Sequence, residues 1–293
     1  MIKEKTKGSI IFDIANSILM IILMAVTLYP ILYEVAISFS SAQYVQANKV
    51  VIFPKGFNTD SYKKLIDYQL FWRSYLNTII YAVVGTAINL TFTSMLAFCL
   101  SRKELIFRKQ ITFFIIATMF FSGGMIPNFL LVNWLGLYNT MWAVILPGAI
   151  STYNMIIVRT YMSSLPEEVI ESVRLDGAND IQILLKIVLP LSKSTLATVG
   201  LFYFVGHWNS YFGPMIYFSD KAKLPLQVIL KEMIVDQNIE SLGLSSADLK
   251  SSMPTSEMFT AASIILSLIP VLCAYPFVQK YFVKGVMVGS VKG

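Results

Sequence analysis

The sequence predicts an all-α membrane protein with six transmembrane helices. Of its 293 residues, 56% are hydrophobic and only 14% are charged, and the mean hydropathy is +0.65. Water-soluble domains carry about 25% charged residues, so this chain has too little polar surface to coat a globule. The apolar residues also fall in long runs, and a helix crossing the ~30 Å hydrocarbon core needs roughly 20 in succession.

The spans follow in order at about 12–38, 75–100, 111–133, 139–162, 196–218 and 259–282. The first lies behind Lys3, Lys5 and Lys7. Its apolar stretch, Ile10 to Phe39, is too long for a signal-peptide core and no small-residue cleavage site follows, so it reads as a true span. The third and fourth are joined through Leu135-Gly136-Leu137, which implies a tight hairpin. Pro30, Pro127, Pro147, Pro214, Pro270 and Pro276 lie in or near spans, where neighbouring helices can satisfy the freed backbone groups.

Basic residues set the orientation. With the N-terminus in the cytoplasm, more than half of the 23 Lys and Arg residues fall inside. The short 101–110 loop, with Arg102, Lys103, Arg108 and Lys109, decides it, because short loops near helix ends obey the positive-inside rule best. Both termini are then cytoplasmic, segments 40–74 and 219–258 are external, and 163–195 is cytoplasmic. This clustering accounts for the net charge of +6 better than a nucleic-acid partner does. Cys99 and Cys273 lie in apolar runs without metal-ligand spacing, which argues against a disulfide framework or a metal site.

Intramembrane ionisable groups usually mark proton or ion paths. The spans between residues 75 and 158 have none; Glu34 sits at the outer end of the first span and His207 within the fifth. His207 reads as a helix-packing residue. Asn77, Asn89, Ser94, Asn128, Trp134, Trp208, Asn209 and Tyr211 suit a neutral, hydroxyl-rich solute or, equally, hydrogen bonds between helices. No phosphate-cradling G-x-x-x-x-G-K-[ST] run occurs, so ATP-driven transport would need a second chain.

The segment 163–195 carries the sharpest signal. Ser164 and Glu167 fit a capping box, with Pro166 in the first turn. A helix runs to about Asp176, and Gly177 can take the left-handed conformation that stops it. Asn179 or Asp180 can cap a second helix bearing Ile181, Leu184, Leu185 and Val188 on one face, ended by Pro190. Membrane-surface helices are rich in Lys and Arg. This one leads with Glu167, Glu168 and Glu171, so a protein partner explains it better than lipid headgroups.

Glu171, Gly177, Ile187 and Leu189-Pro190 stand at the spacing E-A-A-x3-G-x9-I-x-L-P, with Asp176-Gly177-Ala178 as the D-G-A variant. The chain thereby resembles permease subunits of carbohydrate ABC importers, departing from their pattern in Ser172-Val173 for two alanines. The tail, Gly285 to Gly293, is similar to the maltose-type (MalG-like) branch. The runs Phe121 to Pro127 and Tyr275 to Phe282 resemble a branch associated with complex oligosaccharides.

The resemblance implies a type I ABC importer permease fold with a cytoplasmic coupling (EAA) helix. Residues 1–74 would form the N-terminal tail, first span and external loop. Residues 75–282 would form the permease core, with the EAA loop at 163–195 and an external loop at 219–258, and 283–293 the cytoplasmic tail. By resemblance, Glu168, Glu171, Arg174, Asp176, Gly177, Ala178, Leu189 and Pro190 couple to the ATPase. Gly289, Lys292 and Gly293 reach it through the tail, and Trp208, Asn209, Tyr211 and Asn128 line the substrate path. The implied partners are a second homologous permease, a cytosolic ABC ATPase dimer, an extracellular or periplasmic sugar-binding protein and membrane lipid. This chain would bind no cofactor or metal itself; ATP and Mg would sit on the ATPase subunits. The alternatives are an ABC permease for a non-sugar solute and an ion-coupled secondary transporter, against which the missing intramembrane carboxylates argue.

Overall fold

The computed structural model describes residues 7–236 and 255–290, and every regular element among them is helical. Three helices are long and apolar enough to cross a membrane: Gly8–Ser38, Gln69–Ser101 and Ser256–Cys273. Two bent pairs bring the candidate spans to five. Trp142–Gly148 and Thr152–Ser163 meet at 51°, and Asp180–Leu191 and Lys193–Trp208 meet at 85°. The described residues thus show three to five candidate spans against the six expected. The segment expected as a third span is divided between helices Arg108–Ala117 and Met125–Trp134. Between them lies Ser122-Gly123-Gly124, with Gly124 at φ 84°, a conformation no helix interior accepts. The expected 196–218 span stops at Trp208 and resumes over Phe212–Tyr217.

The chain divides into two compact units. The first comprises Met1–Gln69 and Leu230–Leu268. Its helix Lys7–Ser38 leaves the large apolar side chains between Ile10 and Leu32 exposed. Exposing apolar surface to water costs about 25 cal/mol per Å², so lipid or a partner is the solvent such a surface requires. At the end of this helix Ala36 and Ile37 join Ala42, Val45, Val50, Met258 and Ala261 in a small core. Ser40 Oγ donates to the Ala36 carbonyl (2.6 Å) and accepts from the Lys55 amide (3.0 Å). The Phe39 ring stacks on both Phe57 and Tyr62. The segment after the first span is therefore ordered by its own contacts.

The second unit comprises Leu70–Ile229 and Ile269–Gly293. Its spine is the 33-residue helix Gln69–Ser101, about 50 Å long at 1.5 Å per residue. Buried Ser74, Thr78, Asn89, Thr93 and Ser101 recur along one face of it. Two of these, Thr78 and Asn89, bond backbone groups in other segments. Asn89 Nδ2 donates to the carbonyls of Gly148 (2.7 Å) and Ala149 (2.9 Å) at the 51° bend, and its Oδ1 accepts from His207 Nε2 (2.6 Å). Tyr203 accepts from the Ser151 amide (2.9 Å), leaving its O–H to donate to Thr93 (2.7 Å). Asn77, Thr78 and Tyr81 likewise bond backbone groups of Ala222 to Leu226. Hydrocarbon supplies no such partners, so broken helices persist only where side chains do.

Candidate functional site

The segment after Thr152–Ser163 folds as helix, turn, helix. The first helix is Glu167–Leu175. Its entry differs from the sequence expectation: Pro166 is the N-cap and no side chain caps it. Ser164 instead closes the preceding helix, with its hydroxyl donating to the Tyr161 carbonyl (2.7 Å). Glu167 is drawn away from a capping role by Lys103, 2.5 Å distant.

The exit follows from Gly177, at φ 85°. The Gly177 amide bonds the Arg174 carbonyl (3.0 Å) and the Ala178 amide the Val173 carbonyl (3.2 Å), the paired closure of a Schellman motif. Asn179 then caps the second helix in a reciprocal box with Gln182. Beyond Ile183 the helix widens into a π turn, Leu184–Val188, and continues through Leu189–Leu191. Pro190 therefore lies inside the helical run, and the break falls at Ser192, where the chain bends by 85°. The buried face also differs from expectation. Ile183, Leu184 and Val188 are buried, whereas Ile181 and Leu185 are exposed. The wider π turn rotates the later residues relative to a regular helical wheel.

One side of the first helix is anchored and the other is free. Ile170 is buried and Val173 packs against the core formed by Ala97, Phe98, Met155, Met162 and Ile183, among others. Glu168, Glu171 and Asp176 are exposed, and Leu175 is 89% exposed. Glu171 makes no ion pair among the described residues. The outward side of this helix thus combines one apolar side chain with carboxylates unpaired among the described residues, on a helix fixed from behind.

Two ion-pair links, which the sequence reading missed, tether this loop to the short 101–107 connection. Lys103 meets Glu167, and Arg174 spans Glu104 (3.2 Å) and Asp180 (3.3 Å). The bond from Lys103 holds the Glu167 carboxyl below the usual carboxylate range, and the same bond holds the Lys103 ammonium above its usual value. Opposite charges concentrated in two neighbouring loops were the available signal.

The remaining expected site residues are scattered. Trp208 is 2% exposed, packed between Phe204 and Tyr75, so its indole faces no open surface of this chain. Asn209, Tyr211 and Asn128 are exposed. Ala178 and Leu189 are half-buried against the core behind the loop. Gly289 lies in the helix Ser256–Ser290, while Lys292 and Gly293 fall outside the described residues.

Comparison with known proteins agrees over nearly the full length. Residues 89–288 match the family described as "Binding-protein-dependent transport system inner membrane component". The polygalacturonan/rhamnogalacturonan transport system permease protein YtcP of Bacillus subtilis (strain 168) is 38% identical over 283 residues, 97% of this chain and 99% of that protein. Protein LplC of the same organism is 39% identical over 291 residues, 99% of this chain and 98% of that one. A solved bacterial ABC transporter involved in the import of the acidic polysaccharide alginate contains a chain with 38% identity and a TM-score of 0.89. That match covers 95% of this chain and 99% of the other.

Proposed function

This chain belongs to the family of binding-protein-dependent transport system inner membrane components, and on that premise we propose that its 163–195 loop is the joint through which an ATPase drives sugar import. It is a multi-pass transport subunit of an ABC system, and such systems work with an ATPase and a binding protein. The cargo is an oligosaccharide: relatives named for polygalacturonan/rhamnogalacturonan and for galactooligosaccharide transport align over 97% and 94% of this chain.

The observation that carries the joint is the loop's geometry. The helix Glu167–Leu175 is held from behind by Ile170 and by two ion-pair links, yet offers Glu168, Glu171 and Leu175 outward. A groove on the ATPase that received Leu175 would gain about 1.5–3 kcal/mol from that side chain, and a basic residue there would pair with Glu171. Asp176, Gly177 and Ala178 set the turn, and Leu189 and Pro190 lead toward Lys193–Trp208, so a pull on the first helix is passed into the membrane. ATP and Mg are bound by the ATPase, not by this chain. Closure of an ATPase dimer draws the two permeases' coupling helices together and opens the permease pair outward; hydrolysis returns it inward.

Arg108–Ala117 and Met125–Trp134 together make a broken span, giving six, with both termini cytoplasmic. Asn128, Asn209 and Tyr211 face a path shared with the second permease, and Trp208 supports that wall from within. Gly289 and, outside the described residues, Lys292 and Gly293 are the tail residues we assign to ATPase contact. The complete importer in proteoliposomes tests the joint. Glu171→Lys should abolish ATP-dependent oligosaccharide uptake while the chain still inserts and the ATPase still turns over. Normal uptake by that variant would refute the assignment.

A further inference from the structure

A cleft of about 290 Å³ in the second unit is lined by Arg108, Lys109, Thr112, Phe113, Ile116 and Arg159. It gathers three cations from two helices, Arg108–Ala117 and Thr152–Ser163, with no acidic residue in its lining. Among the described residues, none of the three cations is in an ion pair; the nearby Glu104 and Glu167 are engaged by Arg174 and Lys103. Arg159 spends Nε on the Leu100 carbonyl (3.1 Å) and Arg108 makes one long bond to the Arg102 carbonyl (3.4 Å). Most of their donors remain available.

Two further features leave the cleft short of an anion. Arg108 and Lys109 open their helix, whose first turn has no acidic residue and no side-chain cap. Cations at the positive end of the helix dipole are unfavourable, and an anion there relieves both the cations and the freed N–H groups. Thr112 has a buried hydroxyl without a hydrogen-bond partner among the described residues, a group that normally finds one. The apolar remainder of the lining says what carries the anion. Phe113 is 69% exposed, and with Ile116 it continues the cationic rim into hydrocarbon.

We propose that this cleft binds the phosphate of an anionic phospholipid, with Arg108, Lys109 and Arg159 around the phosphate and acyl chain along Phe113 and Ile116. Basic pockets between helices at a membrane edge recognise such headgroups through the same chemistry. The leaflet follows from the orientation proposed above, but the phosphate chemistry does not depend on it.

The test uses the full-length chain in detergent, with bound lipid counted by native mass spectrometry. Phosphatidylglycerol should be retained over phosphatidylcholine by about tenfold. Arg108→Gln/Lys109→Gln should lose that preference, and Arg108→Lys/Lys109→Arg should keep it. Equal retention of the two lipids, or an unchanged preference in the Gln variant, overturns the proposal. Displacement of phosphatidylglycerol by millimolar inorganic phosphate would mark a soluble-anion site and overturns the lipid. A photoreactive phosphatidylglycerol on the unmodified chain avoids any folding defect: labelling should centre on residues 108–116 and 152–163, and labelling confined to Lys7–Ser38 overturns it.

Discussion

Gly177 combines φ 85° with nothing within 4 Å of the place a Cβ would occupy. The penalty for replacing it is therefore one of backbone conformation, about 1–2 kcal/mol for an ordinary L-residue, and not of size. Uptake by the assembled importer should fall in the order Gly, Asn, Ala, Val, following tolerance of the left-handed region; an order set by volume would contradict this. Asn89 is fixed differently, by three bonds to Gly148, Ala149 and His207. Asn89→Leu should cost about 1–2 kcal/mol, seen as a lower unfolding midpoint in detergent. Gly85→Ala should act through the same contact, because its Cβ would lie 2.5 Å from His207 Nε2. The two substitutions together should then be clearly less than additive. The glycine turn was legible in the sequence because D-G-A at a helix end has one physical use. The Asn89 bonds were not, since a polar residue in a span serves solute or neighbour equally well until its neighbours are known.

The 163–195 loop is tied to the 101–107 connection by the Lys103–Glu167 and Arg174–Glu104 ion pairs. Lys103→Glu and Glu167→Lys should each lower uptake, and the double exchange should restore it, as measured in proteoliposomes at low salt. Both groups are exposed, so the effect should shrink as salt screens the pair. The pH dependence follows from the two shifts. Glu167 is depressed, so its contribution is present above the ordinary carboxylate value and is lost as pH falls through the depressed one. Lys103 is raised, so its contribution is present below the ordinary lysine value and is lost as pH rises through the raised one. The tether should therefore be unchanged between about pH 5 and pH 9. Helix ends here were read well where backbone chemistry decides, at Gly177 and Asn179. They were misread at Ser164 and Pro190, where Lys103 takes the expected capping glutamate and a π turn carries the helix past the proline.

At the scale of the molecule, composition was enough to reveal a membrane protein, and the spacing from Glu171 to Pro190 pointed to the family. Span count was harder to read. Hydropathy sees the apolar run at 111–133 but not that Gly123-Gly124 divides it, nor that two other spans bend, one by 51° where Asn89 and Tyr203 bond the freed backbone and one by 85° where Tyr161 donates to the Leu191 carbonyl. The central claim is that the outward face of Glu167–Leu175 grips the ATPase. It is tested most directly by a cysteine at Leu175 in the assembled importer, with Cys99 and Cys273 replaced by alanine. Oxidative cross-linking to a cysteine in the ATPase groove is expected, with uptake arrested until the bond is reduced. Labelling of that cysteine from outside the cell by a membrane-impermeant reagent, or free transport with no cross-link to the ATPase, would contradict the claim.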